Sequence, residues 1–195
     1  MYTDAAIHLM LDAEGTTHLS LHTDYNATGT NEVTGGSPAY ARKAAIWAAA
    51  ASRAKALSAD VTFDVPATTV RWIGRWTALT AGTFLGMGPL QGAEKEFTVD
   101  PATDVFRQVA HGYVNTDQVV FYGATVPAGL VAGTIYFVRD ATTDTYKVAA
   151  TSGGVAIDIT AEPGAACVVS KIVPEVFAAQ GTLKVPTTFK LTAGM

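Results

Sequence analysis

The chain has 195 residues, 49% of them apolar and only 15% charged, which excludes a disordered, solvating chain. A net charge of −4 excludes a basic field for gripping nucleic-acid phosphates. The single Cys167 excludes an internal disulfide, a cysteine zinc site and a CxxC redox pair. The low charge fraction also suggests that part of the surface is covered by other chains.

The N-terminus, MYTDAAIHLMLDAEG, has no basic segment leading into an apolar core, so we expect no signal peptide and synthesis in the cytoplasm. Asp4 is an expected N-cap for a helix over Ala5–Leu11, with Gly15 as its stop. His18–His22 alternates, with two leucines on one face, and reads as a strand. Ala39–Ala59 fits a helix by propensity, and Tyr40, Arg42, Ala44 and Ile46 alternate equally well as a strand. Val61, Phe63 and Val65 share one strand face. Val70, Trp72, Gly74 and Trp76 form one row of the next strand, and Arg71, Ile73, Arg75 and Thr77 the other.

Further strands are expected at Val119–Tyr122, Ile135–Val138, Thr145–Val148, Ala156–Ile159, Cys167–Val169, Leu183–Val185 and Phe189–Leu191. The longest apolar run, Ala44–Ala51, falls far short of the ~20 residues of a membrane span. Many short strands cut by glycine and proline predict an all-β sandwich or barrel. From Glu96 to Lys171 there are eight acids against four bases, so this segment carries the whole net charge. The remainder is neutral, and the two regions have different surfaces.

Leu19–Asp24, Thr28–Gly36 (TGTNEVTGG) and Tyr40-Ala-Arg42 resemble the opening of a family of small phage virion proteins, the tail fibre or minor tail proteins. That family's pattern is "VSLHTADPG", "TGANEVSGG" and "YAR". Val61–Pro66, Val70–Trp76, Gly82–Leu85 and the closing Ala178–Val185 follow in the family's order. The chain departs from it at Ala48–Ala59 and at Asp24-Tyr25-Asn26. The resemblance shifts Tyr40–Ala50 towards strand.

The acidic segment is similar to a small β module that recurs in phage tail and fibre proteins. His111–Asp117, Pro127–Leu130, Ala132–Val138 and Ser152–Thr160 carry that likeness. The two resemblances imply a mainly β protein: an antiparallel β-sandwich with a short N-terminal helix, and a second small β module inserted between late strands. The implied domains are 1–95 with 174–195, and 96–173. The module core is expected to include Val119, Phe121, Tyr136, Val138, Tyr146, Val148 and Ile157.

Candidate sites are few. His18 and His22 could share zinc on a helix, but strand spacing sets them about 13 Å apart, as outward-facing polar residues. Asp24–Gly29 resembles the front of a calcium loop. Position twelve of that loop is Gly35 rather than glutamate, so a turn held by Asx bonds is expected. Gly86–Gly92 is a weak glycine string that reads as a bend between strands.

Trp72 and Trp76 are expected in the sandwich core, with Arg71 and Arg75 on the opposite row as a solvated or interface surface. The alternative is an aromatic-basic platform for sugar or single-stranded nucleic acid. His111 is expected to fix a turn. No nucleophile motif is present, and no motif places a carboxylate pair for glycoside hydrolysis.

The expectation is a non-enzymatic structural protein of a phage virion, needing no metal or cofactor, binding no nucleic acid and inserting into no membrane. Its partners would be other virion proteins of the tail or capsid, and copies of itself, most simply as a trimer. Ile7 and Leu11, with Leu9 and Met10, are the first candidates for that contact. Placement at the tail is weighed against capsid decoration or the neck, and against a carbohydrate-binding module for host-surface glycans.

Overall fold

The computed structural model describes residues 3–91, 94–123, 125–164 and 167–192. The elements in chain order are α1 (Asp4–Asp12), β1 (His18–His22), β2 (Lys43–Ala44), β3 (Ala54–Ala56), β4 (Val61–Val65), β5 (Thr68–Val70), β6 (Trp72–Trp76) and β7 (Phe84–Pro89). Then come β8 (Glu94–Lys95), β9 (Thr98–Asp100), β10 (Val105–Arg107), β11 (Gln118–Gly123), β12 (Ile135–Arg139), β13 (Thr145–Ala149) and β14 (Cys167–Lys171). β15 (Glu175–Phe177), β16 (Gly181–Val185) and β17 (Lys190–Thr192) close the chain. The protein is mainly β, and every strand pairing is antiparallel. Two compact units emerge, residues 1–90 with 174–194, and residues 91–173.

In the first unit, a four-stranded sheet runs β2-β1-β6-β7. Strand alternation puts Leu19, Leu21 and Ile73 on one face. That face packs against Val61, Phe63 and Val65 of β4 and Leu183 and Val185 of β16, which pair with each other. This is the sandwich core.

The segment Ala39–Ala59 is strand plus loop. β2 and β3 lie within it, with isolated bridges from Trp47 to Leu57 and from Ala51 to Ala54. β3 pairs with β17, so tertiary pairing overrides the helical propensity of its alanines.

The helix begins one residue earlier than expected. Thr3 is the N-cap, and its Oγ1 accepts the Ala6 N–H at 3.3 Å, while Asp4 occupies the first turn. Its stop is Ala13 rather than Gly15. The last carbonyls, of Leu11 and Asp12, accept from Lys55 Nζ at 3.1 and 3.3 Å, so a buried ammonium caps the negative helix end. Ile7 and Leu11 are buried against Leu191, with Trp47, Ala50 and Phe189 around them. They are core residues of their own unit. Leu9 (73% exposed) and Met10 (57%) point outwards.

The second unit is one seven-stranded sheet, β8-β14-β11-β12-β13-β10-β9. Its two edge strands are joined by only Glu96 and Phe97, a link that spans at most about 11 Å. The sheet therefore curls back on itself. Its core holds Val119, Phe121, Tyr136, Val138, Tyr146 and Val148, with Ile157 packed on the margin. The unit starts before Glu96 because Lys95 and Glu94 pair with Val169 and Ser170.

Ala156–Ile159, expected as a strand, is not one. Ile157 N–H donates to Val148, Ile159 N–H to the Asp104 side chain and Thr160 N–H to Ala128. Its backbone bonds are thus split among three segments instead of one ladder.

Candidate functional site

The second face of the four-stranded sheet carries the unusual chemistry. β1 and β6 are in register, His22 opposite Trp72, Ser20 opposite Gly74 and His18 opposite Trp76. These six residues therefore share one face, the reverse of the Leu19–Leu21–Ile73 face. Trp72 (1% exposed) and Trp76 (8%) are buried, yet they do not join the sandwich core as expected. They are covered instead by the segment from Thr23 to Arg42.

The cover is fixed residue by residue. Tyr25 meets Trp72 edge-on at 5.3 Å. Asn26 Oδ1 accepts from Thr28 N–H at 2.8 Å and from Thr28 Oγ1 at 2.6 Å, so the Asx turn takes the place of a calcium loop. Gly29, at φ +79°, lies against Trp76 and Phe84, where an added Cβ would sit 2.6 Å from Trp76 Cζ2. Arg42 stacks its guanidinium 3.3 Å from the centre of a Trp76 ring.

The same Arg42 makes a forked ion pair with Glu32, with Nη2 to Oε2 at 2.8 Å. Tyr40 completes the set: its hydroxyl accepts the Leu21 N–H at 2.8 Å and donates to Glu32. Its ring stacks on Phe63, and burial pushes its hydroxyl pKa well up. The strings TGTNEV and YAR are thus the two halves of one clasp over the tryptophan face.

Beneath the clasp lies a chain of hydrogen bonds that the sequence reading missed. Trp76 Nε1–H donates to Ser20 Oγ at 2.8 Å, and Ser20 Oγ lies 2.7 Å from His22 Nε2. His22 Nδ1 lies 3.0 Å from the Thr30 carbonyl, which can only accept. These partners assign the neutral Nδ1–H tautomer, with Ser20 donating to Nε2. Gly74 leaves room for the pair, since a Cβ there would lie 2.5 Å from His22 Nε2. The i, i+2 spacing of Ser20 and His22 on a strand was the available signal.

A serine 2.7 Å from a histidine has the spacing of a nucleophile and its base. Here both residues are 0% exposed, and the serine oxygen is already held by Trp76. Substrate has no approach, and the pair serves the fold. His22 is therefore not an outward-facing polar residue, and both ring nitrogens are engaged. His18 instead bonds Thr17 Oγ1 through Nδ1 at 2.8 Å.

Burial lowers the His22 pKa below its ordinary 6.5, against the Thr30 carbonyl and Glu32, which raise it; Arg42 lowers it further. A depressed folded pKa contributes stability that is complete above pH 6.5 and is lost as pH falls through the folded value. Acidification from neutrality to below pH 6.5 should therefore lower the thermal midpoint of the first unit. His22→Gln should flatten that part of the pH profile. An unchanged acid slope in the variant would rule His22 out as its source.

The expected arginine surface is only partly free. Arg71 Nη1 donates to the Thr23 carbonyl at 3.0 Å, tying the start of the cover to the residue just before β6. Arg75 pairs with Glu14 through Nη1 and donates to the Leu85 carbonyl at 3.2 Å through Nη2. Neither arginine shares a face with the tryptophans, and the cation stacked on Trp76 is Arg42. The glycine string is also revised: Gly86 to Pro89 lie within β7, opposite Arg75 to Trp72. A bulge there lets Gly86 adopt φ +122°. Gly92 lies outside the described residues.

In the second unit, His111 fixes a turn. Its Nδ1 accepts the Tyr113 N–H at 2.9 Å, and Nε2 faces the Thr145 carbonyl at 3.2 Å. Asp117 holds the same loop by accepting from Val114 N–H and Lys171 Nζ. Burial pushes the Tyr113 hydroxyl up to about 12 and the Cys167 thiol up to about 11. Cys167 is a buried, weakly ionised thiol. Among the described residues, no three His, Cys, Asp or Glu side chains gather as a metal site.

A family model described as podophage GP4 fiber I protein gp80 matches residues 13–115. That is just over half of the chain, and it includes the whole clasp. The match also runs past Leu90 into the second unit, through β8, β9, β10 and the His111 turn. No curated protein and no solved structure shows significant similarity to the chain.

Proposed function

We propose that this chain, which belongs to the podophage fibre I family, is a structural and non-enzymatic component of the phage virion, built into a tail fibre. The observation that carries this reading is where the family's residues go. Gly29, Glu32, Tyr40, Arg42 and Trp76 are consumed in closing the fold, and the Ser20–His22 pair, at reactive distance, lies sealed beneath them. Such a chain acts through its outer surface, by contact with copies of itself and with neighbouring virion proteins. The second unit, which holds the whole net charge of the chain, is the part we assign to contact outside the particle, host glycan included.

The test is immunogold labelling of intact particles with antibodies against residues 91–173. Label on the fibres is expected. Label spread over the capsid lattice would replace this reading with capsid decoration. Absence of the chain from purified particles would remove the virion role altogether.

We also read the second unit as folding on its own, since its seven strands pair only among themselves and enclose one core. The isolated fragment 91–173 should unfold in a single cooperative transition. A fragment without cooperative unfolding would count against an inserted domain.

A further inference from the structure

From the edge chemistry of the four-stranded sheet, we infer that two copies of this chain join through β7, edge to edge and antiparallel, across a two-fold axis at Met87. The inference rests on the self-assembly part of the proposed function. β7 is six residues long, and no other described strand pairs with its outer edge. An open strand edge offers unpaired N–H and C=O groups, and proteins ordinarily blunt it with charge or by keeping it short.

The other edges follow that rule. β2 and β8 have two residues, and β9 has three. β4 and β16 are longer but carry Asp64 and Lys184. β7 is long and has no charged residue at all.

The donor and acceptor pattern identifies the occupant. Leu90 N–H donates to the Arg71 carbonyl, and Pro89 has no N–H to give Trp72. By antiparallel alternation, Gly88 bonds towards Ile73, and the N–H and C=O of Met87 face away from β6. Met87 opposite Met87 of a second copy forms two reciprocal hydrogen bonds.

That register sets Leu85 opposite Pro89 of the second copy. The proline lacks a donor there, and the Leu85 carbonyl it would have served already accepts from Arg75 Nη2 at 3.2 Å. The one gap in the edge falls on the one acceptor that needs nothing. A β7 edge is complementary to itself, which a two-fold contact requires. The resulting contact is pairwise, in contrast to the three-fold closure that the fibre resemblance implies.

The experiment is sedimentation of the full chain over a wide dilution series, beside Gly88→Lys and Gly88→Ala. A Cβ at Gly88 meets nothing within 4 Å, and Gly88→Ala controls for the loss of the glycine itself. Lysine adds the charge that blunts an edge. The expected result is a dimer in the parent chain and in Gly88→Ala, and its loss in Gly88→Lys. Amide exchange on the parent chain should show Met87 N–H protected only at concentrations where the dimer forms. A larger oligomer unaffected by Gly88→Lys, with Met87 exchange independent of concentration, would overturn edge pairing and leave self-assembly standing. A monomer at every concentration would overturn both.

Discussion

Trp72→Ala should lower the stability of the first unit by about 3–5 kcal/mol, the range for deleting a buried aromatic side chain. Trp72 is 1% exposed and lies between β6 and Tyr25, so its removal opens a cavity under the clasp. Trp76→Ala should cost as much, because Phe84, Arg42 and Gly29 all pack on that ring. The two tryptophans differ in their polar ends. Trp76 Nε1 donates to Ser20, whereas Trp72 Nε1 has no hydrogen-bond partner among the described residues. Phenylalanine should therefore be tolerated better at 72 than at 76, by about 1 kcal/mol for the lost bond. Denaturant unfolding followed by circular dichroism measures both differences. An unchanged midpoint in Trp72→Ala, with loss of a sugar or host-cell interaction, would make this face an exposed platform instead.

The second large effect is expected at Gly29, where Gly29→Ala should cost about 2–5 kcal/mol. About 1–2 kcal/mol of this is the left-handed backbone forced on an L side chain. The remaining ~1–3 kcal/mol is the overpacking of a Cβ pressed into Trp76 and Phe84. Gly35→Ala separates the two contributions. Gly35 has φ +86° but nothing within 4 Å of its Cβ, so only the backbone cost applies. Unfolding midpoints of the two variants should differ by the overpacking cost. Equal midpoints would mean that the cover does not press on Trp76.

Much of this architecture was legible in the sequence, because period-two alternation survives wherever a strand buries one face. His18–His22, Val61–Val65 and Ile135–Val138 read directly as β1, β4 and most of β12. What failed was the assumption that a sheet has only one apolar side. The Trp72–Trp76 row suggested the core face, and the structure gives that face to Leu19, Leu21 and Ile73.

The tryptophans belong to the reverse face, whose cover is an irregular segment with no period to read. The same blind spot hid Ser20 and His22, since a polar row beside leucines looks like a solvated face until a loop lies over it. Alanine was a second obstacle: Ala39–Ala59 fits helix and strand alike, and pairing of β2 with β1 and of β3 with β17, with the bridge from Trp47 to Leu57, decides its course. Short apolar runs deceive in the opposite sense, as Ala156–Ile159 alternates without forming a ladder.

We propose that this chain is built into a virion fibre and that its clasp residues serve architecture. A density map of intact particles tests it most directly. The expected result is fibre density that accommodates the four-stranded sheet with Arg42 stacked on Trp76 beneath a closed Thr23–Arg42 cover. Fibres that are complete in particles lacking this chain would contradict it, as would a map in which the cover is open and the tryptophan face grips a ligand.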